Sequence, residues 1–201
     1  MEIYALQVNH LSNPLGYALG KGKLSFSWKV KDAKGKSQTY ARVRIAADEA
    51  MQEILFDSGE DREANSLGYK IDFKTKPRTR YFWTLELASD AGEVTVSVPQ
   101  FFETAKMDEA WTGRWITCAT DQARHPYFVK DIAAKEEVVR ARLYVCGLGL
   151  YEAYWDDKKI GNEYLTPYQN NYNRWVQYQT YDVTEQVKDG GKLRILLGNG
   201  W

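Results

Sequence analysis

Apolar and polar residues alternate along much of the chain with a period of two. Leu24, Phe26, Trp28 and Val30 take every second position of one run, the spacing at which successive side chains reach the same face of a strand. Ala41, Val43 and Ile45 alternate with Tyr40, Arg42 and Arg44. Tyr81, Trp83, Leu85 and Leu87 repeat the pattern, and Val94, Val96 and Val98 follow. Turn chemistry separates the runs at residues 32–35 and at Asp90-Ala91-Gly92, since Asp and Gly accept the backbone that tight turns need. Helical periodicity is nearly absent. Residues 108–111 and 184–188 are each long enough for about one helical turn. Asp182 or Thr184 is suited to accept hydrogen bonds from the N–H groups that open the second turn. The pattern predicts an all-β chain of short strands, the arrangement of β-sandwiches.

A boundary falls where this alternation pauses. Phe101-Phe102-Glu103-Thr104 closes the first set of strands, a short polar stretch follows, and Trp111 opens new apolar material. The expected domains are 1–106 and 107–201. No linker rich in Pro, Gly or Ser separates them, so two sandwiches packed together are expected rather than loosely joined ones.

Composition narrows the function classes. The chain has 201 residues, with 27 Lys+Arg against 27 Asp+Glu and a formal net charge of zero. A nucleic-acid partner needs a basic face, so this balance argues against one. No apolar run approaches the roughly 20 residues of a membrane helix. MEIYALQVNH lacks the basic-then-apolar order of a signal peptide. Cys118 and Cys146 are too few for a disulfide framework and sit in apolar, strand-like runs, which predicts two buried, reduced thiols. Together these features predict a cytoplasmic protein. His10 and His125 lie far apart with no ligand spacing around them, so no metal site is expected. Gly147-x-Gly149 is too short a pattern for a nucleotide loop, and no cofactor is expected.

Two sets of residues carry family resemblances. Leu24-x-Phe26-x-Trp28 and Pro77-x-Thr79-x-Tyr81-x-Trp83 resemble a fibronectin type III domain. That likeness implies that Trp28 is a core tryptophan and that Tyr81 forms a corner, its ring buried and its hydroxyl returning to nearby backbone. The second set runs through the whole chain: Val8-Asn9-His10-Leu11-x-Asn13-Pro14-Leu15-Gly16, Asp57-Ser58-Gly59, Phe102-Glu103-Thr104 and Trp111-x-x-x-Trp115-Ile116. It continues with Gly147-Leu148-Gly149-Leu150-Tyr151-Glu152, Leu165-Thr166-Pro167, Gln177-Tyr178-x-Thr180-Tyr181-Asp182-Val183-Thr184 and Gly198-Asn199-Gly200-Trp201. This ordered set resembles the N-terminal region of bacterial α-L-rhamnosidases, glycoside hydrolase family 78.

The resemblance implies a fibronectin type III-like sandwich followed by part of a jelly-roll-like one, with an (α/α)₆ catalytic barrel further C-terminal. It implies a parent enzyme that hydrolyses terminal α-L-rhamnosyl glycosides with inversion, which needs two carboxyl groups roughly 6.5–9.5 Å apart across the sugar. Glu60-Asp61, Glu136-Glu137 and Asp156-Asp157 read as solvated acids of turns and loops, so no catalytic residue is assigned. The family usually has Asn-Gly where Asp156-Asp157 stands, a turn that wants positive φ, and often glycine at Ala105. Residues 193–197 read as an apolar strand close to the last residue. The implied fragment lacks its catalytic domain and is expected to leave an edge or apolar face open to self-association.

Tyr172, Trp175 and Tyr178 are the candidate sugar-binding residues. Amphipathic rings can stack on a sugar, pack in a core or hold a partner. In one regular strand Tyr172 and Tyr178 share a face and Trp175 takes the other. A platform that includes Trp175 needs a loop, for which Asn170, Asn171 and Asn173 are suited. Three functions follow: the non-catalytic part of a rhamnosidase with packing aromatics, a carbohydrate-binding module acting alone, or a structural and interaction sandwich.

Overall fold

The computed structural model describes residues 1–19, 22–118, 125–134 and 136–198. Asn199, Gly200 and Trp201 of the last motif lie outside them. The chain forms two compact units, Met1–Ala110 and Trp111–Trp201.

The first unit contains β1 (Glu2–Val8), β2 (Leu15–Tyr17), β3 (Leu24–Lys31), β4 (Gln38–Ala46), β5 (Ile54–Asp57), β6 (Tyr69–Ile71), β7 (Arg80–Ser89), β8 (Val94–Val96) and β9 (Gln100–Thr104). One sheet has the order β1-β3-β6 and the other β2-β9-β7-β4-β5, with β8 paired to β7. The alternating residues of β3 and β7 face each other between the sheets. Phe26 meets Trp83 edge to face, with ring centroids 4.7 Å apart. Trp28 is buried and donates its indole N–H to Gln38 Oε1 at 3.3 Å. Tyr81 makes the expected corner: it is buried, and its hydroxyl accepts the Lys76 N–H at 2.8 Å.

Three expectations about this unit change. Val94, Val96 and Val98 alternate as expected but are exposed. The register Glu86↔Val96 puts the β8 valines on the outward face of β7 rather than with Leu85 and Leu87. Val30 likewise leaves the core at the end of β3. Residues 108–111 form no helical turn; a β-turn over residues 106–109 overlaps them, where Glu109 N–H bonds the Lys106 carbonyl at 3.0 Å.

The second unit contains β10 (Tyr127–Ile132), β11 (Arg142–Val145), β12 (Tyr151–Trp155), β13 (Lys158–Lys159), β14 (Gln179–Asp182), α1 (Thr184–Asp189) and β15 (Gly191–Leu197). A four-stranded sheet, β10-β15-β12-β13, faces a pair, β11-β14. Ala153, Trp155, Ile160, Tyr181 and Val183 form the core between them. Residues 193–197 are therefore no orphan edge: β15 is a central strand, paired to β10 and β12 over its length. The β12–β13 turn has Asp156 at φ +51, the left-handed conformation wanted there. Its side chain accepts the Lys192 N–H at 2.9 Å, which anchors the hairpin to β15. Asp182 accepts the Thr184 N–H at 3.1 Å, although α1 itself has no side-chain cap. Both cysteines are free but half-buried rather than buried. Cys118 lies in irregular chain, and Cys146 follows β11 with its thiol on the Gln177 carbonyl at 3.1 Å.

Candidate functional site

A long irregular segment, residues 160–178, connects β13 to β14 and carries most of the candidate chemistry. Gly161 starts it at φ +78, and the space a Cβ would need holds the Glu163 carboxylate and the Tyr181 ring. Two clasps then hold the segment down. Tyr151 N–H bonds the Thr166 carbonyl at 2.8 Å, and Thr166 Oγ1 bonds the Tyr151 carbonyl at 3.2 Å. Asn170 is 8% exposed and its Oδ1 accepts the Gln177 N–H at 3.0 Å. Between Asn170 and Gln177, the N–H groups of Arg174 and Trp175 both bond the Asn171 carbonyl, at 2.7 and 2.9 Å. The asparagines thus build a loop where a strand would have split the aromatic faces.

That loop holds Tyr172 and Trp175 out, 44% and 52% exposed. Tyr178 lies beyond the second clasp and is half-buried. Its ring meets Trp111 edge to face at 5.1 Å and Tyr144 at 6.2 Å. Two of the three candidate rings therefore share the loop surface, while the third packs within the unit.

A second cluster, on the outward face of the four-stranded sheet, escaped the sequence reading. Glu152 and Tyr154 alternate with the buried Tyr151, Ala153 and Trp155. The Tyr154 hydroxyl donates to Glu152 Oε2. Lys159 Nζ donates to Glu152 Oε1 at 2.9 Å and to the Glu163 carbonyl at 2.6 Å, and sits 3.7 Å from the centre of the exposed Tyr164 ring. The Tyr154 hydroxyl and the Lys159 ammonium hold the Glu152 carboxyl below its usual range. The bond to Glu152, aided by burial, pushes Tyr154 up to about 12. The signal was present in Glu152-x-Tyr154 beside Lys158-Lys159, but Tyr151-Glu152 registers first as a fold motif.

Beneath the segment, burial raises the Tyr151 phenol, whose hydroxyl contacts Gln179. Burial and then the Glu163 carboxylate push Tyr181 up to about 12. Both phenols stay neutral and structural at physiological pH. A hollow of about 590 Å³ opens elsewhere, between residues 136–141 and Val187, and none of the three candidate rings lines it. The acidic pairs are dispersed. Asp61 accepts the Tyr69 hydroxyl at 2.8 Å, Asp157 pairs with Arg194 at 2.5 Å, and Glu136 and Glu137 border the hollow. Among the described residues, no three His, Cys, Asp or Glu side chains are grouped to hold a metal ion.

Residues 3–108 match the family described as "Rha78A-like, N-terminal immunoglobulin domain". The chain belongs to that family. Residues 136–201 of this Rha78A-like chain match a second family, "Alpha-L-rhamnosidase N-terminal domain". An α-L-rhamnosidase of Formosa agariphila is 31% identical over 228 residues, covering 96% of the chain and 24% of that relative. One of Streptomyces avermitilis is 38% identical over 104 residues, covering 48% of the chain and 10% of its own length. The solved α-L-rhamnosidase of Dictyoglumus thermophilum superposes with a TM-score of 0.82 at 28% identity, covering all of the chain and 25% of that structure. The chain thus spans a quarter or less of the length of these relatives.

Proposed function

We propose that the chain is the non-catalytic N-terminal portion of an α-L-rhamnosidase whose complete form hydrolyses terminal α-L-rhamnosyl glycosides with inversion. The observation that carries this reading is the coverage: two N-terminal domain families account for residues 3–108 and 136–201, in a chain that spans 24% of a 31% identical rhamnosidase. The two units supply scaffold and surface. Inverting hydrolysis needs an acid and a base facing each other across a sugar, whereas Asp61 holds the Tyr69 hydroxyl, Asp156 anchors a turn and Asp157 pairs with Arg194.

The exposure of Tyr172 and Trp175 favours a contact role for their loop, with the remainder of the enzyme or with a sugar face. A stand-alone carbohydrate-binding module is the second reading, and the same exposure supports it. The chain is assayed with an aryl α-L-rhamnoside. No release of the aryl group is expected; turnover that follows this chain through purification rejects the reading.

A further inference from the structure

A strand at the end of a sheet keeps a row of unbonded N–H and C=O groups, which is a template for a further strand. In the second unit the four-stranded sheet ends in β10 on one side and β13 on the other. β13 consists of two lysines, and a strand so short and charged closes its edge to partners. β10 runs for six residues, and its Tyr127 and Val129 are each 56% exposed. Lys130 and Asp131 are exposed as well, while Phe128 and Ile132 are half-buried.

Pairing with β15 fixes which backbone groups are left over. The Leu197 N–H bonds the Pro126 carbonyl at 3.0 Å. Tyr127↔Leu196 is therefore a non-hydrogen-bonded pair, and Phe128↔Ile195 is a hydrogen-bonded one. By the same alternation Phe128, Lys130 and Ile132 turn their N–H and C=O groups to β15, and Tyr127, Val129 and Asp131 turn theirs to the open side. Among the described residues no strand takes them.

A second copy of β10, brought antiparallel by a two-fold axis normal to the sheet, presents the same row of groups. Side chains then keep their faces, so odd-numbered residues oppose odd-numbered ones. Centred on Val129, the register sets Val129 against its own copy, Tyr127 against Asp131 and Phe128 against Lys130. Tyr127, Val129 and Asp131 each exchange N–H and C=O bonds with the copy, and no like charges are opposed. An edge lysine ordinarily turns partner strands away. Here Lys130 meets the Phe128 ring, whose face attracts an ammonium and packs against its stem. Centring on Lys130 or on Asp131 opposes like charges, and centring on Phe128 leaves Asp131 without a counterpart in the strand.

We propose that β10 is the contact by which two copies of this chain pair, joining their four-stranded sheets into one continuous sheet across a two-fold axis. The occupant of the open edge is a second copy because this strand is complementary to itself in one register. A contact of one strand on another is small, so the association is weak and follows concentration. The pairing does not depend on the rhamnosidase reading.

The test follows the whole chain by sedimentation velocity and by hydrogen exchange over a concentration series. Expected is a mass that rises from one chain and levels at two, with the amides of Tyr127, Val129 and Asp131 gaining protection as it rises. Val129→Pro removes the central N–H of the open side and leaves the bonds to β15 in place. It is expected to weaken pairing by at least about tenfold with the rest of the amide spectrum retained. Val129→Cys is expected to give a disulfide-linked dimer with oxidised glutathione, well above the unsubstituted chain with its free Cys118 and Cys146. The opposed Cα atoms of that position stand roughly 5.5 Å apart, within disulfide reach. Lys130→Cys is expected not to cross-link, because its two copies stand roughly 8 Å apart. One chain at every concentration, a mass that climbs past two without levelling, or pairing that survives Val129→Pro each overturn the proposal. So do equal cross-linking through Lys130→Cys and slow exchange of the three amides in the dilute monomer, which assigns the edge to another segment of the same chain. Should Val129→Pro not fold, the two cysteine variants decide.

Discussion

The first and second units use the same alternating strands but close their cores to different degrees. In the first, Leu24, Phe26, Ala41, Val43, Ile45, Leu85 and Phe102 retain 0% exposure. Three strands face a sheet of six, so inward residues have partners along their length. In the second, four strands face a pair, and Leu143, Val145, Leu193 and Ile195 stay half-buried around a small core. A two-stranded layer is marginal without packing support. The second unit also places Tyr151 and Tyr181 at its centre, where burial must be offset by hydrogen bonds. Stability by core closure thus belongs to the first unit. The second divides its aromatic residues between its core, with Tyr151, Trp155 and Tyr181, and exposed surfaces such as the loop of Tyr172 and Trp175.

The largest effect that sharpens this contrast is at Trp28. Its ring is 3% exposed and meets Tyr69 edge to face at 6.4 Å. Trp28→Ala is expected to cost the first unit about 3–5 kcal/mol, read as an early transition for residues 1–110 in urea melts followed by amide signals. An unchanged melt contradicts the dense-core account of this unit.

The fold was legible where one face of a strand is buried and the other is wet. Leu24 to Trp28, Ala41 to Ile45 and Tyr81 to Leu87 declare their register because packing demands a strict period. The tyrosine corner was legible because its hydroxyl must find backbone a few residues upstream. Val94 to Val98 misled, since alternation gives the period but not which face is inside; only pairing with β7 decides that. Residues 193–197 misled for a related reason, because their partners, β10 and β12, lie far away in sequence. At the candidate site, the asparagines announced a loop, but the fate of each ring depended on clasps such as Thr166 to Tyr151 that join distant residues. The outward-face cluster was hidden because Lys159 reaches Glu152 and the Tyr164 ring only once β13 pairs with β12 and the following segment folds back over them.

A smaller effect comes from alkali. Tyr181 and Tyr154 titrate at about 12 in the folded chain, against about 10 for an unfolded tyrosine. Their folded values are raised, so the stability they contribute is complete below about pH 10 and is lost as pH rises toward about 12. Burial raises Tyr69 of the first unit as well, with help from Asp61. The second unit, with two phenols at about 12 and Tyr151 raised further by burial, is expected to lose its amide signals first on alkaline titration. Simultaneous loss of both units removes this distinction.

The most direct test of the contrast is native-state hydrogen exchange, resolved by segment. Amides of β4 and β7, central strands of a closed sandwich, are expected to exchange most slowly. Those of β11 and β14, the two-stranded layer opposite the four-stranded sheet, are expected to exchange at least about tenfold faster, by local opening. Equal protection of residues 142–145 and 179–182 with residues 80–89 contradicts the account, because it makes the second sandwich as closed as the first.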